Sequence, residues 1–353
     1  MSGINTKLIW KNKEIILGKK QKVLINQLAG INHDLDYAQT IEKIDMWDND
    51  PQAPDIITDV SLTAPGCGCP IWEYALQKRN FIVGTVPIYF VKNKEKIHPQ
   101  ELLTVIEEQL SKGVKIITIH PTPTMELIDL SQKRITPITS RGGGIVIRDL
   151  LINHRKENIY LKCLDSIVKL CQKYHAVLSI GTTFRSANVI DSIDAVQKAE
   201  IQMQITLAES LRNKKVPVIL EMPGHASPEK IRELNQILKD CPFPIMPLGP
   251  IVTDTGVGMD HITAAIGVTL MGLDGNVQII SAVTREEHTG NIPSVESTKE
   301  AVLTARLAAH IIDMDQLHDY SSDYQYAIAR KKSCIAGQST SGCSRCGDYC
   351  PLK

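Results

Sequence analysis

Several features are missing from this 353-residue sequence, and each absence argues against a class of protein. No apolar run approaches the roughly 18 residues of a membrane-spanning helix. The start, MSGINTKLIWKNKEIILGKK, lacks the continuous apolar stretch of a secretory signal. Lys and Arg together number 39, as do Asp and Glu, so no net charge favours nucleic-acid binding. We expect a cytoplasmic protein that contacts neither a membrane nor nucleic acid.

A disulfide framework is also not expected. The nine cysteines are an odd number, and no secretory signal precedes them. Cys67 and Cys69 form a GCGC patch to which the sequence assigns no role. Cys343, Cys346 and Cys350 lie close together near the end of the chain, and their spacing is considered below.

The pattern of apolar residues indicates the fold class. Hydrophobic residues make up 43% of the chain and charged residues 22%, a balance typical of a folded protein. Eight apolar, β-branched segments recur along it, and several are apolar throughout, as strands of a parallel sheet buried on both faces are. The predicted strands are 22–29, 55–61, 82–90, 114–120, 177–181, 217–222, 243–248 and 277–283.

Helical patterns lie between most of these strands, and after the second strand IWEYALQKRN allows only a short helix. The other helical predictions are 99–111 before Gly113, 186–212, 228–239 after Ser227 as N-cap with Pro228 at the first position, and 297–311 opening with Ser297 and Glu300 at capping-box spacing.

Strands that alternate with helices predict an α/β fold, a (β/α)8 barrel of the TIM type. A doubly wound open sheet is the alternative, and the lack of a glycine fingerprint after the first strand disfavours it. The predicted division is a short N-terminal lead-in over 1–21, a catalytic barrel over 22–312 and a cysteine-bearing C-terminal tail over 313–353.

Polar residues follow the strands at the barrel end where chemistry is expected. His120, His225 and His288 each follow a predicted strand, and Glu221 ends the sixth. Neutral imidazoles bind divalent metals, and a nearby carboxylate can orient them. The alternative is that each histidine only satisfies a loop hydrogen bond. Taken together, His225 and His288 favour a metal site.

An anion site is predicted beside them. SRGGG at 140–144 is interpreted as part of a long loop after the fourth strand, and Arg185 follows the fifth strand. A guanidinium beside approachable backbone N–H groups suits a phosphate or a carboxylate. The two arginines therefore favour a small anionic substrate.

The tail carries C-x2-C-x3-C in the segment CSRCGDYC. Three such thiolates suit a [4Fe–4S] cluster with one iron open to another ligand. A structural zinc site with a fourth ligand elsewhere suits the same spacing, and the spacing alone does not separate the two.

These elements together resemble the phosphomethylpyrimidine synthase (ThiC) family of thiamine biosynthesis, an atypical group of radical S-adenosylmethionine (SAM) enzymes. The matching motifs occur in the family's order. They are GTVPIY at 84–89, TIH at 118–120, SRGG at 140–143, ENIY at 157–160, PGH at 223–225, LGP followed by TD at 248–254, DHI at 260–262 and VT..EH at 283–288.

The resemblance implies a homodimeric (β/α)8 barrel with a cluster in its tail. A cluster-bound SAM would yield a 5′-deoxyadenosyl radical that rearranges aminoimidazole ribotide, a carbon–carbon lyase reaction needing an electron donor such as flavodoxin or ferredoxin. Cys343, Cys346 and Cys350 would hold the cluster, and His225 and His288 a divalent metal, zinc or iron. The implied substrate residues are Tyr89, His120, Ser140, Arg141, Gly142, Arg185 and Glu221, with Thr182 and Thr183 beside them and Glu221 as a proton acceptor or an orienting group for His225.

The sequence also departs from the family. Thr182 and Thr183 replace an Asp-Gly pair, Met246 or a neighbour aligns with a tyrosine, and the tail spacing is one residue short. Two alternatives follow: a paralogue with a different product, such as 5-hydroxybenzimidazole, and a zinc-dependent barrel hydrolase or lyase. A non-catalytic iron–sulfur sensor is a third.

Overall fold

A computed structural model describes residues 6–11, 13–32, 36–66, 68–78, 80–330, 334 and 345–351. Within them, eight parallel strands form one sheet in the spatial order β10-β3-β4-β5-β6-β7-β8-β9. The predicted barrel and all eight of its strands are confirmed. The strands are β3 Leu24–Ala29, β4 Ile56–Asp59, β5 Ile82–Thr85, β6 Ile116–Ile119, β7 Val177–Ile180, β8 Val218–Met222, β9 Ile245–Pro247 and β10 Ile279–Ser281.

The sheet closes on itself between its last two strands. The backbone N–H of Gln278 donates to the carbonyl of Ile245 at 3.0 Å, and Leu248 forms a parallel bridge with Ser281. β10 also pairs with β3 on its other side, so every barrel strand has a neighbour on both sides. An open doubly wound sheet is therefore excluded.

Helices pack around the outside of this barrel. The described ones are α1 Asp36–Asp45, α2 Ile71–Lys78, α3 Pro99–Lys112, α4 Met125–Ser131, α5 Arg141–Ile152, α6 Ile159–Tyr174, α7 Ala195–Asn213, α8 Pro228–Ile237, α9 Asp260–Gly272, α10 Val295–Leu317 and α11 Ser321–Ala329, with 3-10 turns at Pro87–Tyr89 and Gly347–Tyr349. The predictions of a short α2, of α3 ended by Gly113 and of α8 capped by Ser227 are confirmed.

Two helix boundaries were predicted wrongly. The helix predicted over 186–212 begins only at Ala195, where the side chain of Asp194 caps it. Before it, Asn188 accepts the N–H groups of Ile190 and Asp191, so a side chain takes the place of helical hydrogen bonds. The last barrel helix is capped by Ser294, in a box with Ser297, and not by Ser297 itself.

An antiparallel hairpin precedes the barrel, made of β1 Thr6–Trp10 and β2 Lys13–Leu17. Leu8 and Leu17 are 1% exposed and pack against the barrel interior. Thr6 fastens the hairpin by donating its hydroxyl proton to the carbonyl of Val218 at 2.9 Å. The hairpin therefore seals the end of the barrel where the strands begin.

The barrel interior has two layers that differ by two residues along each strand. The lower one, here the basal layer, is apolar and contacts the hairpin: Ile56, Ile82, Ile116, Val177, Ile219 and Ile279. Two residues further along each strand lies the upper one, here the polar layer: Thr58, Gly84, Thr118, Ser179, Glu221 and Ser281. Side chains on one face of a strand recur every second residue, so each strand contributes one residue to each layer. The polar side chains therefore lie only near the carboxyl ends of the strands.

Among the described residues, no helix is both long and apolar enough to cross a membrane. In the tail, Cys343 lies outside the described residues, while Cys346 is exposed and Cys350 half-exposed. α10 runs through Leu317, and α11 follows it with no buried residue. The division of the chain into lead-in, barrel and tail stays a prediction.

Candidate functional site

A cavity of about 390 Å³ opens at the carboxyl ends of the barrel strands. Residues from nearly every barrel strand and from the loops after them form its wall, as the barrel architecture requires of a functional site. They are Asn26, Leu28, Thr58, Val60, Val86, Tyr89, Thr118, His120, Thr139, Ser140, Arg141, Thr182, Arg185, Glu221, Met222, Met246, Leu248, Ser281 and Glu287.

SRGGG forms the first turn of α5 and not the predicted loop. The hydroxyl of Ser140 is the N-cap and accepts the N–H of Gly143 at 3.1 Å, which stabilises the helix start. A Cβ at Gly142 would lie 2.3 Å from the His120 ring, so glycine permits the close approach. The positive end of a helix dipole consequently faces the cavity, which favours an anion there.

Two guanidinium groups flank this helix start. Arg141 stacks over the Tyr89 ring, with its Cζ 5.8 Å from the ring centroid. Arg185 follows β7 and lines the same cavity. Among the described residues, no carboxylate lies within salt-bridge distance of either arginine. Both cations are thus available to a ligand.

His120 lies beneath these cations as a neutral imidazole. It is 2% exposed and packs between Gly142 and Gly181. Burial, with the nearby charge of Arg185, lowers the pKa of its ring to about 3. Its buried Nδ1 has no hydrogen-bond partner among the described residues. An unpartnered buried polar atom beside a cavity is costly unless a ligand or water satisfies it.

Glu221 is the one acidic residue that the polar layer places in the described cavity. The hydroxyls of Thr118 and Ser179 donate to its Oε1 at 3.1 and 3.3 Å. Burial raises the pKa of this carboxyl, while the positive charge of Arg185 opposes the rise. The carboxyl is therefore easier to protonate than an exposed glutamate, as proton transfer requires.

Opposite Glu221, the polar layer holds a small hydrogen-bond network that is absent from the predicted site residues. Thr58 donates to the Oδ1 of Asn26 at 2.8 Å, and Asn26 donates to Ser281 at 3.2 Å and approaches the Met246 sulfur at 3.9 Å. The period-two alternation of polar after apolar residues could have revealed it.

His225 and His288, from the segments that follow β8 and β10, lie next to each other. Their Nε2 atoms lie 3.1 Å apart. Each Nδ1 faces a carboxylate, Asp254 at 2.8 Å from His225 and Asp260 at 2.7 Å from His288. We call His225 and His288 the histidine pair. Asp254 and Asp260 belong to the TD and DHI motifs, but the sequence alone does not mark them as carboxylates that orient the histidines.

The donor set of the histidine pair fits a divalent metal. If each Nδ1–H donates to its carboxylate, two Nε2 lone pairs face each other, an arrangement that a shared cation or proton relieves. Two nitrogen ligands at about 2.05 Å from one tetrahedral zinc would lie roughly 3.3 Å apart. Burial lowers the pKa of His225, which favours its neutral, ligating form. The described residues contain no group of three or more His, Cys, Asp or Glu side chains placed to share a metal.

The structure brings most of the predicted site residues together. Gly142 contacts His120 from behind, and Thr183 is fully buried behind the wall against Gly143. Cys343 and Cys67 lie outside the described residues, and Cys69 is half-buried and free. The predicted residues that line the cavity are Tyr89, His120, Ser140, Arg141, Thr182, Arg185 and Glu221.

The chain is similar to known proteins over almost its whole length. The model of the Radical SAM ThiC family matches residues 4–340, a match that ends before the tail cysteines. "Phosphomethylpyrimidine synthase" of Thermodesulfovibrio yellowstonii is 31% identical over 99% of this chain and 89% of its own. The protein of the same name from Dehalococcoides mccartyi is 31% identical over 96% and 84%, and that from Desulforamulus reducens is 32% identical over 79% and 72%.

These matches favour the radical SAM interpretation over the zinc-dependent hydrolase. A family model that spans so much of the chain, together with relatives above 30% identity, decides the membership. The chain belongs to the Radical SAM ThiC family, and it is therefore an enzyme that uses SAM with an iron–sulfur cluster.

Proposed function

We propose that this enzyme rearranges aminoimidazole ribotide, or a similarly phosphorylated ribonucleotide, into the pyrimidine precursor of thiamine. The observation that carries the proposal is a cavity lined by two arginines that lack a described carboxylate partner, next to an aspartate-backed histidine pair whose sequence neighbour Glu287 lines the same cavity. The names of these relatives support the same reaction. Its class is a carbon–carbon lyase.

The phosphate of the substrate would bind between Arg141, Arg185 and the start of α5. Two guanidinium groups and a helix N-terminus supply charge and directional donors for a dianion. Neutral His120 would complete this part of the site, because its unpartnered Nδ1 is free to accept or donate a hydrogen bond. Thr182 and Tyr89, on the same wall, would contact the ribose or the base.

Glu221 would hold or accept a proton in the reaction. Its carboxyl lies deep in the cavity and is stabilised by two hydroxyls, while burial raises its pKa. Such a group takes up a proton at a higher pH than an exposed glutamate does.

His225 and His288 would hold the divalent metal, zinc or iron, with water or substrate completing its coordination. A metal bound there would act as a Lewis acid on a substrate oxygen or nitrogen. Asp254 and Asp260 would keep the two imidazoles oriented.

Cys343, Cys346 and Cys350 would hold the iron–sulfur cluster. Cys346 and Cys350 carry free, accessible thiols, as cluster ligands must. A bound cluster would supply the electron that cleaves the S–C bond of SAM, and flavodoxin or ferredoxin is the proposed donor of that electron.

The proposed assembly is a homodimer. α9 presents a row of exposed apolar residues at helical spacing, Ile262, Ile266 and Leu270, which are 45%, 50% and 39% exposed. Apolar rows of this kind mark association surfaces. Light scattering coupled to size-exclusion chromatography should give twice the 39.1 kDa chain mass, and a monomer would contradict the proposal.

A paralogue with a different product is the second candidate. Thr182 and Met246, two of the positions that depart from the family pattern, both line the cavity and would contact a substrate. 5-Hydroxybenzimidazole is the product that this alternative predicts.

The test is anaerobic reconstitution with iron and sulfide, followed by SAM, a strong reductant and aminoimidazole ribotide. We expect ribotide-dependent 5′-deoxyadenosine, with the product identified by mass spectrometry. Cys346→Ala should abolish 5′-deoxyadenosine formation, and Cys241→Ala, a buried cysteine distant in sequence from the tail, serves as the matched control. Ribotide-independent cleavage would contradict the substrate, and no cleavage at full iron loading would contradict the radical chemistry.

A further inference from the structure

We propose that Glu200 is a positioning residue that fixes the anion-binding wall of the cavity without lining the cavity itself. The anion wall is defined here as residues 181–185 together with the first turn of α5. The inference deepens the proposed function, on which it rests, because that function assigns a phosphate to this wall.

Glu200 lies on the inner face of α7 and is fully buried. Its Oε1 accepts the N–H of Thr183 at 2.7 Å and the hydroxyl of Thr122 at 2.5 Å. Its Oε2 accepts the N–H of Phe184 at 2.9 Å and the hydroxyl of Thr182 at 2.6 Å. Four donors thus occupy the four in-plane acceptor positions of one carboxylate.

These contacts join three segments that carry ligand-binding groups. Thr183 and Phe184 directly precede Arg185, and Thr122 comes two residues after His120. The Thr183 side chain packs against Gly143, where an added Cβ would lie 2.4 Å from its methyl carbon. Glu200 therefore sets the backbone that presents Arg185 and also supports the helix start that presents Arg141.

A second residue on the inner face of α7, Gln204, also holds the backbone beside the cavity in place. Gln204, one turn beyond Glu200, donates to the carbonyls of Ile180 and Glu221 at 3.0 and 3.1 Å. The inner face of α7 thus fastens the ends of β7 and β8 as well as the segment that follows β7.

The geometry requires a carboxylate and not its amide. In Glu200→Gln the NH2 group would take the place of one of the two oxygens. On either side it would face a backbone N–H, of Thr183 or of Phe184, which cannot turn around to accept. One buried N–H would lose its partner whichever way the amide is oriented, at a cost in local order.

The first test measures backbone amide exchange across residues 181–186 in the wild type, Glu200→Gln and Asp313→Asn. Asp313 is the matched control, because its carboxylate accepts the N–H of Val23 at 3.0 Å at the sealed end of the barrel. We expect exchange to accelerate about tenfold or more in Glu200→Gln alone. Unchanged exchange in Glu200→Gln would overturn the proposal.

The second test compares the affinity of aminoimidazole ribotide with that of its dephosphorylated riboside by calorimetry. We expect Glu200→Gln to lower the ribotide-to-riboside affinity ratio about tenfold, and Thr122→Val, a milder change, to lower it about threefold. In an Arg185→Met background, Glu200→Gln should lower the ratio by less than it does in the wild type, because the part of its effect that acts through Arg185 is already lost while the part that acts through Arg141 remains.

The outcomes separate the two proposals. Equal losses for ribotide and riboside would show a merely structural role and overturn the inference. A wild-type protein that binds neither compound contradicts the proposed function, while the exchange comparison still decides whether Glu200 holds the segment. If Glu200→Gln does not fold, Thr122→Val decides through the same affinity ratio.

Discussion

The two ends of the barrel use the same strands for opposite purposes. At the end where the strands begin, the basal layer is apolar and the hairpin covers it with Leu8 and Leu17. Two residues further along, the polar layer meets an open cavity. The comparison shows that a step of two residues along each strand separates the side chains that stabilise the fold from those that face the ligand cavity.

The energetics of the two ends differ accordingly. Each leucine buried at the sealed end contributes about 1.5–3 kcal/mol of hydrophobic stabilisation. At the open end, burial raises the pKa of Glu221 and lowers that of His120, so the fold pays for polar groups there. Substitutions at the two ends should therefore separate stability from binding.

The largest expected effect is on stability and comes from the sealed end. Leu17→Ala should lower the free energy of unfolding by about 2–5 kcal/mol, because it leaves a cavity between the hairpin and the basal layer. Ribotide affinity of the folded protein should not change. Urea unfolding and calorimetric titration measure the two quantities.

The control lies on the same hairpin. Ile9 is 45% exposed, so Ile9→Ala should cost less than about 0.5 kcal/mol. Equal losses for the two variants would mean that the hairpin does not seal the barrel.

The second effect is the pH dependence of stability at the open end. The ring of His120 has a pKa of about 3 in the folded protein against an ordinary 6.5, so the unfolded chain binds the extra proton between these values. The stabilisation by neutral His120 is complete above pH 6.5 and is lost as the pH falls. Between pH 6.5 and 4.5 the loss amounts to about 2 kcal/mol.

This loss should disappear in His120→Gln. Thermal unfolding across that pH range should show a steeper decline for the wild type than for the variant, and exposed His98→Gln should behave like the wild type. The difference between variants is the useful quantity, because Glu200 and Glu221, whose pKa values are raised by burial, act in the opposite direction. Parallel curves for wild type and His120→Gln would refute a buried neutral ring.

The barrel itself was predictable because its strands are short, apolar and regularly spaced. The sequence does not predict the hairpin, because the hairpin is held by contacts with residues far along the chain. These are the basal layer of the barrel and the carbonyl of Val218. The helix start at Ala195 was missed for a related reason. Val189 and Ile190 continue an apolar pattern, but Asp191 accepts the N–H groups of Ile135 and Thr136 from another segment.

Local ambiguity explains the misplaced helix cap. Ser294 with Ser297 and Ser297 with Glu300 share one spacing, and the sequence does not rank them. At the site, the strand ends predict Arg185, Glu221 and the histidine pair as candidates, and the structure places the first two in the cavity wall and the two histidines next to each other. The roles of Glu200, Asp254 and Asp260 could not be found this way, because each acts on a residue from a different loop.

The third effect separates ligand binding from stability. Arg185→Met removes one unpaired cation from the cavity and should weaken ribotide binding about 10- to 100-fold, the range of a lost charge-assisted hydrogen bond. Unfolding in urea should be nearly unchanged, because no described ion pair is broken. Arg212→Met, in the last turn of α7, is the control, since that guanidinium packs over Phe243 and does not line the cavity. Equal ribotide affinity in the wild type and Arg185→Met would mean that the substrate phosphate does not bind at this wall.

The smallest effect compares the two carboxylates behind the histidine pair. Asp254→Asn and Asp260→Asn should each weaken zinc binding, measured by competition with a chromophoric chelator, by about tenfold, the lower end of the range for residues that orient metal ligands. The Asp260 side chain is 2% exposed and that of Asp254 37%, so the loss should be larger for Asp260, where solvent screens the lost charge less. Asp165→Asn, an exposed partner of Lys214, should leave zinc affinity unchanged. Equal zinc affinity in the wild type and the three variants would mean that Asp254 and Asp260 only hold their loops in place. The metal site at the open end of the barrel would then not depend on carboxylates that orient its histidines.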